Sequence, residues 1–326
     1  MNAVCLASFG PPDVLALAEH RDPEPPAGWV LVELRAAGLN WHDCLLRQGV
    51  YAYPLPLIMG ADGAGLRRDT GEPVIIVPSL WWGEDERSPS PDFQILGDRV
   101  SGTYAELVAV PEENVWPRPS GWDWEQAAAI GLGGTTAYRA MFTRGGLQGG
   151  ETVAILGAGG GVATIAVALG AMAGARVLVT SSSTEKLDRA RQLGAAAGVL
   201  YTDADWPEQL TELAGRPGVD LIVDSVGADW PALLGLLNVG GRLVNFGATG
   251  GGQATVDLRP FYLGQYSILG TTMGSPRDFR EMLALLAERP RWRPTLDTVR
   301  PLDQAGAAHA QMERRQHFGK LVLSCT

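Results

Sequence analysis

The run "TVAILGAGGGVATIAVALGAMAGARVLV", residues 152–179, constrains the fold more than any other part of the chain. From Val153 to Ala175 no residue carries a formal charge, and a segment of that length is able to cross a bilayer. Gly157, Gly159, Gly160 and Gly161 argue against a spanning helix. Clustered near its start they would break it, whereas they suit a tight turn between a buried strand and a buried helix. The segment then reads as a strand over Thr152–Leu156, a glycine turn, a helix over about Val162–Ala173 and a strand over Arg176–Thr180. A charged amphipathic helix follows in "STEKLDRARQLGA". This is a βαβ unit.

Glycines in such a turn let the backbone approach a pyrophosphate, and the helix behind them aims its free N–H groups and positive dipole end at the anion. A dinucleotide is the natural ligand. A packing turn is the plainer alternative, but the strand before and the helix and strand after are all present. NAD sites usually place an Asp or Glu about 20 residues after the first glycine, to hold the ribose 2′-hydroxyl. Here the chain has Thr180-Ser181-Ser182-Ser183. The hydroxyls of Ser182 and Ser183, followed by Lys186, suit a 2′-phosphate, which points to NADP(H). Alternatively, Ser183 N-caps the next helix and Lys186 is solvated. The alternation continues with "GVDLIVDSVG" as a strand, "WPALLGLLNVGG" as a helix closed by glycine, and "RLVNFGAT" as another strand. Ligands of a doubly wound sheet sit beyond the carboxyl ends of its strands, so Asp224, Val226, Phe246 and Gly247 are expected on the nicotinamide side.

The rest of the chain is different in kind. Its first 120 or so residues carry short β-rich segments ("WVLVELRAAGL", "EPVIIVP", "TYAELVAV") between Pro/Gly turns. Beyond about Gly264, "YSILGTTMGS" is strand-like, "PRDFREMLALLAER" is an amphipathic helix and "GKLVLSC" is a strand. A length of 326 residues suits about two domains. A net charge of −10 disfavours nucleic acid and anionic membranes as partners, leaving small molecules. The three cysteines, Cys5, Cys44 and Cys325, form neither a disulfide framework nor a four-cysteine zinc lobe. With no readable secretory signal at the N-terminus, a reducing cytoplasm is expected.

One stretch, "LNWHDCLL" at residues 39–46, sets three potential metal ligands side by side. Consecutive side chains splay by about 100° on a helix and alternate faces on a strand, so His42, Asp43 and Cys44 do not easily converge on one ion. Asp43 reads as a structural carboxylate, His42 as a polar group and Cys44 as core.

Taken together, "AAGLNWHD", "GADGAG", "GTYAELVAVPEENVWP", "AAAIGLGGTTAYRAM", the glycine turn, "DSVG", "ILGTTMGS" and "HFGKLVL" resemble the medium-chain dehydrogenases/reductases, specifically their zinc-free quinone oxidoreductase-like branch. The resemblance covers nearly the full length. It implies an α/β fold in which a doubly wound parallel Rossmann sheet (121–266) is inserted into a GroES-like β-barrel domain (1–120 and 267–326), with substrate in the cleft between them. In zinc-dependent relatives a Cys ligand stands where this chain has Asn40, a G-H-E segment where it has Gly60-Ala61-Asp62, and another Cys near Leu132. The resemblance therefore implies no metal. It implies that Asn40 and Tyr51 line the substrate side and that Thr136 touches the nicotinamide ribose. It adds Val162 in the turn and Tyr201 after the next strand to the cofactor side. It also implies a homodimer paired through "SILGTTM", and hydride transfer from NADPH to a quinone, enone or other activated carbonyl. Leu45 stands where quinone reductases commonly have a second tyrosine, and Ala163 where relatives often have the last glycine of the turn. A zinc alcohol dehydrogenase with unusual ligands and a non-catalytic nucleotide binder are the rival functions. Seven of the ten tryptophans precede residue 125; Trp41, Trp81 and Trp82 would suit a flat apolar substrate, while Trp116, Trp122 and Trp124 serve equally well as core caps.

Overall fold

The computed structural model describes every residue except Ala52, Arg216, Pro217 and Ala228. The chain divides into two compact units: Met1–Gly133 with Ser275–Arg280 and Trp292–Thr326, and Gly134–Gly274 with Glu281–Arg291.

The second unit is built on one parallel sheet of six strands: β1 (Thr152–Ile155), β2 (Arg176–Ser181), β3 (Ala197–Leu200), β4 (Val219–Asp224), β5 (Leu237–Asn245) and β6 (Ser267–Gly270). Their order is β3-β2-β1-β4-β5-β6, that of a doubly wound nucleotide-binding sheet. Helices α1 (Gly161–Met172), α2 (Thr184–Gln192), α3 (Trp206–Ala214), α4 (Trp230–Gly235) and α5 (Leu258–Gly264) make the connections. Ala154, Leu178, Val199, Leu210, Ile222 and Leu243 share its buried core. Near-continuous apolar strands are what a parallel sheet covered on both faces requires.

One expectation is corrected here. The segment "WPALLGLLNVGG" is not a helix to its end: α4 stops at Gly235, and Leu237 opens β5. Val219 pairs with Leu237 but Leu221 with Arg242, so the intervening residues bulge out around Gly240, whose φ of +78° favours glycine. Those glycines mark a bulge in a strand. The sixth strand explains why 267–274 belong to this unit, since β6 pairs in register with Arg242–Asn245.

The first unit is β-rich. Its main sheet runs Val115–Pro117, Pro73–Ile76, Asp62–Arg67, Trp29–Gly38, Lys320–Ser324 and Leu296–Pro301, with Leu107–Pro111 also paired to Trp29–Gly38. The strand Lys320–Ser324 lies antiparallel to Ala36–Gly38, so residues more than 280 positions apart in sequence are neighbours in this sheet. Val32, Leu34, Leu39, Leu46, Val108, Leu321 and Leu323 fill one core. A short helix, Trp41–Arg47, follows directly on the strand Trp29–Gly38. Among the described residues no helix is long and apolar enough to cross a membrane.

Candidate active site

In the second unit, β1 gives way to Gly157, whose φ of +75° turns the chain, and Gly160 becomes the N-cap of α1. No side chain caps that helix, so the free N–H groups of its first turn, among them those of Gly161 and Val162, are left for an anion. The turn is tied to β2 by Ala158 N–H donating to Thr180 O at 2.9 Å.

At the end of β2, Ser183 is the N-cap of α2, its Oγ accepting from Lys186 N at 3.4 Å. Ser183 therefore has a structural duty, and only its own O–H remains to donate. Ser182 is exposed and Lys186 half-buried. Tyr201, exposed after β3, donates its backbone N–H to Ser181 O at 2.9 Å. Thr136 is buried in the helix Gly131–Tyr138.

Asp224 is bonded within its own turn. Fully buried, its carboxylate accepts from Val226 N (2.7 Å), Gly227 N (3.0 and 3.2 Å), Trp230 Nε1 (3.1 Å) and Asn245 Nδ2 (3.0 Å). These five contacts fix the shape of the turn. A Cβ on Gly247 would come within 2.5 Å of Ser225 O, which is why the β4 and β5 ends approach so closely there. The turn of residues 157–162, the ends of β2 and β3, and Val226, Phe246 and Gly247 thus lie along one carboxyl edge of the sheet.

In the first unit Asn40 N-caps the helix Trp41–Arg47: Asp43 Oδ2 accepts from Asn40 N at 2.8 Å and also from Tyr104 OH at 2.9 Å. Burial raises the Asp43 pKa to about 6 against the opposing pull of His42 and these donors. Cys44 is core, with Sγ 3.6 Å from His309 Nδ1. His42 Nε2 sits 2.6 Å from Asp98 Oδ1. Burial works to lower the His42 pKa, but the Asp98 hydrogen bond and charge outweigh it and the net shift is upward. The Tyr51 ring lies 5.0 Å from that of His42, and Tyr51 is 38% exposed whereas Asn40 is 6% exposed.

Sequence reasoning missed the centre of this cluster. Lys320 is buried and its ammonium donates to Leu39 O (2.7 Å), Asn40 Oδ1 (2.7 Å) and Asp62 Oδ2 (3.0 Å). Asn40 Nδ2 donates to Asp62 Oδ2 at 3.0 Å, and Asp62 Oδ1 accepts from Leu132 N at 2.6 Å. Asn40, Asp62 and the Leu132 backbone do converge, but they present an amide, a single carboxylate and a backbone N–H, with a cation among them. This donor set does not fit a zinc ion. Among the described residues no group of three or more His, Cys, Asp or Glu is arranged to hold a metal. Elsewhere in the unit, Trp81, Trp82 and Trp116 line a cavity of about 1200 Å³ that includes neither Asn40 nor Tyr51.

Residues 161–288 match the zinc-binding dehydrogenase family and residues 26–120 the alcohol dehydrogenase GroES-like domain. A quinone oxidoreductase of Pseudomonas aeruginosa is 32% identical, with 97% of each chain covered. An NAD-dependent alcohol dehydrogenase of Sulfolobus acidocaldarius is also 32% identical, over 100% of both chains. The crystal structure of an NAD-dependent alcohol dehydrogenase is similar at a TM-score of 0.94 and 37% identity, covering 99% of both chains. A mycobacterial protein complexed with NADPH reaches 0.84 at 25% identity, covering 99% of this chain and 100% of that one. Fold and matches together define an oxidoreductase of a class that binds a nicotinamide cofactor. The chain belongs to the medium-chain dehydrogenase/reductase superfamily, in its quinone oxidoreductase-like branch.

Proposed function

We propose that the protein is an NADPH-dependent reductase that delivers a hydride to a quinone, an enone or another activated carbonyl without a metal. The observation that carries this reading is the carboxyl end of β2, where Ser181, Ser182, Ser183 and Lys186 stand in place of the carboxylate that would hold an NAD ribose and repel a 2′-phosphate. The nicotinamide supplies the hydride when bound. This chain's residues then have the tasks of binding and charge stabilisation: the α1 N-terminus holds the pyrophosphate, and Asn40 and Tyr51 donate hydrogen bonds to the oxygen that gains charge. An amide does not exchange protons near neutral pH, so Asn40 stabilises charge and the proton comes from elsewhere. Absence of a metal is supported by the Lys320 ammonium beside Asn40 and Asp62. The name of the P. aeruginosa relative supports the quinone, and the NADPH-bound mycobacterial neighbour supports the cofactor.

Calorimetry at low salt tests the cofactor. NADPH is expected to bind at least tenfold tighter than NADH, about 1.4 kcal/mol, with Lys186→Ala closing most of that gap. Equal affinities would favour the second reading, an NAD-dependent alcohol dehydrogenase like the S. acidocaldarius relative. Stopped-flow mixing of the NADPH-loaded protein with quinones, enones and aldehydes identifies the acceptor class.

A further inference from the structure

We propose that Lys320 and Asp62 are positioning residues for Asn40: together they lock its amide in one orientation, so that an N–H is presented to the substrate oxygen with a fixed ammonium behind it. This rests on the role given to Asn40 above.

The lock follows from donor and acceptor chemistry. An ammonium only donates, so the Asn40 atom 2.7 Å from Lys320 Nζ must be the oxygen. A carboxylate only accepts, so the Asn40 atom 3.0 Å from Asp62 Oδ2 must be the nitrogen. Turning the amide over would set N–H against N–H and oxygen against oxygen. Only one orientation is allowed. Nδ2 carries a second N–H beside the one given to Asp62.

Each member of the group is itself held. Asn40 N donates to Asp43, and Leu39 N to Leu321 O at 2.9 Å. Asp62 receives Leu132 N on its side chain and Thr103 Oγ1 on its backbone carbonyl at 2.8 Å. A Cβ on Gly131 would sit 2.4 Å from Asp62 Oδ1, so glycine is needed for that approach. All three N–H groups of Lys320 are engaged.

A buried ion pair is a poor way to gain stability, because desolvating two charges offsets most of their attraction. Its presence against a candidate catalytic amide therefore points to use. Inside a low-dielectric site, an ammonium on the amide oxygen polarises the amide and strengthens the hydrogen bond its N–H can donate. That interaction grows as charge develops on the acceptor oxygen, which is the condition for acting on kcat.

The test is a double-mutant cycle on the full-length protein, with NADPH and whichever quinone the acceptor panel selects. Asn40→Ala is expected to lower kcat at least tenfold, as is Lys320→Met, while the NADPH Kd read by fluorescence changes less than twofold in both. In the Asn40→Ala background, adding Lys320→Met should cost less than twofold, because its effect passes through an amide already removed. Lys320→Arg, which keeps the charge and the donors, should recover most of the rate. Lys320→Met leaves the Asp62 carboxylate buried without its cation, so Lys320→Met/Asp62→Asn, which removes both charges, serves as the variant that folds. It should melt near the wild type and remain slow. A wild-type kcat in either Lys320→Met or the paired variant, or an equal loss from Lys320→Met with and without Asn40, would overturn the proposal. If Asn40→Ala itself leaves kcat intact, the assignment of Asn40 to the substrate fails first and the positioning role falls with it.

Discussion

His309 has no exposed surface, and its ring is set between the Tyr104 hydroxyl and the Cys44 thiol. Burial, helped by the charge of Arg47, drives its pKa down to about 3. In an unfolded chain the value is about 6.5, so below that pH only the unfolded state takes up a proton. Stability is full above pH 6.5 and is lost on acidification, at about 1.4 kcal/mol per pH unit, until about pH 3. Asp43 acts with the opposite sign between its model-peptide value of 3.8 and about 6, so the wild-type curve alone is ambiguous. The informative quantity is the difference from His309→Gln, which does not titrate. Urea denaturation at pH 7, 6, 5 and 4 should show the wild type beginning to lose stability relative to the variant between pH 7 and 6 and then losing about 1.4 kcal/mol per unit down to pH 4; parallel curves would contradict the assignment. At this scale the sequence was legible where a residue's role is local. Asn40, Asp43 and Cys44 could be weighed from the stretch around them. Lys320 and Asp62 could not, because their contact spans 258 residues of chain. A signal was present all the same: a single cation in "GKLVLSC" and a single carboxylate in "GADGAG" are each set among small or apolar residues, and a buried charge requires its opposite.

The glycine turn and α2 show what elements disclose. The βαβ unit was readable because strand, turn and helix are contiguous and the glycine conformation is a local property. The helix Trp41–Arg47 was not singled out, being only seven residues long and fixed by a capping box rather than by a periodic apolar face. The α4–β5 boundary was misplaced because "LLNVGG" suits a helix C-terminus as well as a bulged strand, and only the pairing with Val219 and Leu221 decides. For Ser183 the two duties separate by experiment. As the N-cap of α2, Ser183→Ala should lower stability by about 1 kcal/mol, whereas Ser182→Ala, exposed and uncapping nothing, should leave it unchanged. Chemical denaturation of both variants without nucleotide checks this, and equal stabilities would remove the capping role.

For the molecule as a whole, β6 forms one edge of the six-stranded sheet, with β5 as its neighbour in the sheet order. Val239, Leu258, Tyr262 and Leu263 of the same unit are 61–75% exposed. Open strand edges and exposed apolar side chains are features that proteins cover, and a twofold mate would cover both. Light scattering at micromolar concentration is expected to give a homodimer; a monomer would contradict it. A change in pattern between β-rich and alternating segments was legible, but not that 121–133 lie in the first unit, whose short helix Trp124–Ala128 packs on the strands Trp29–Gly38 and Asp62–Arg67. The place of Lys320–Ser324 in that first sheet bears on how the chain is made. On the ribosome the strand Trp29–Gly38 emerges early, yet the neighbour that lies along Ala36–Gly38, and the cation that neutralises Asp62, are synthesised only after the whole nucleotide-binding unit. The second unit has its strands in one nearly continuous stretch and is free to fold as it emerges. The first must wait with an open edge and an unpaired buried carboxylate, so a nascent chain arrested before residue 320 is the form of this protein most exposed to misassembly.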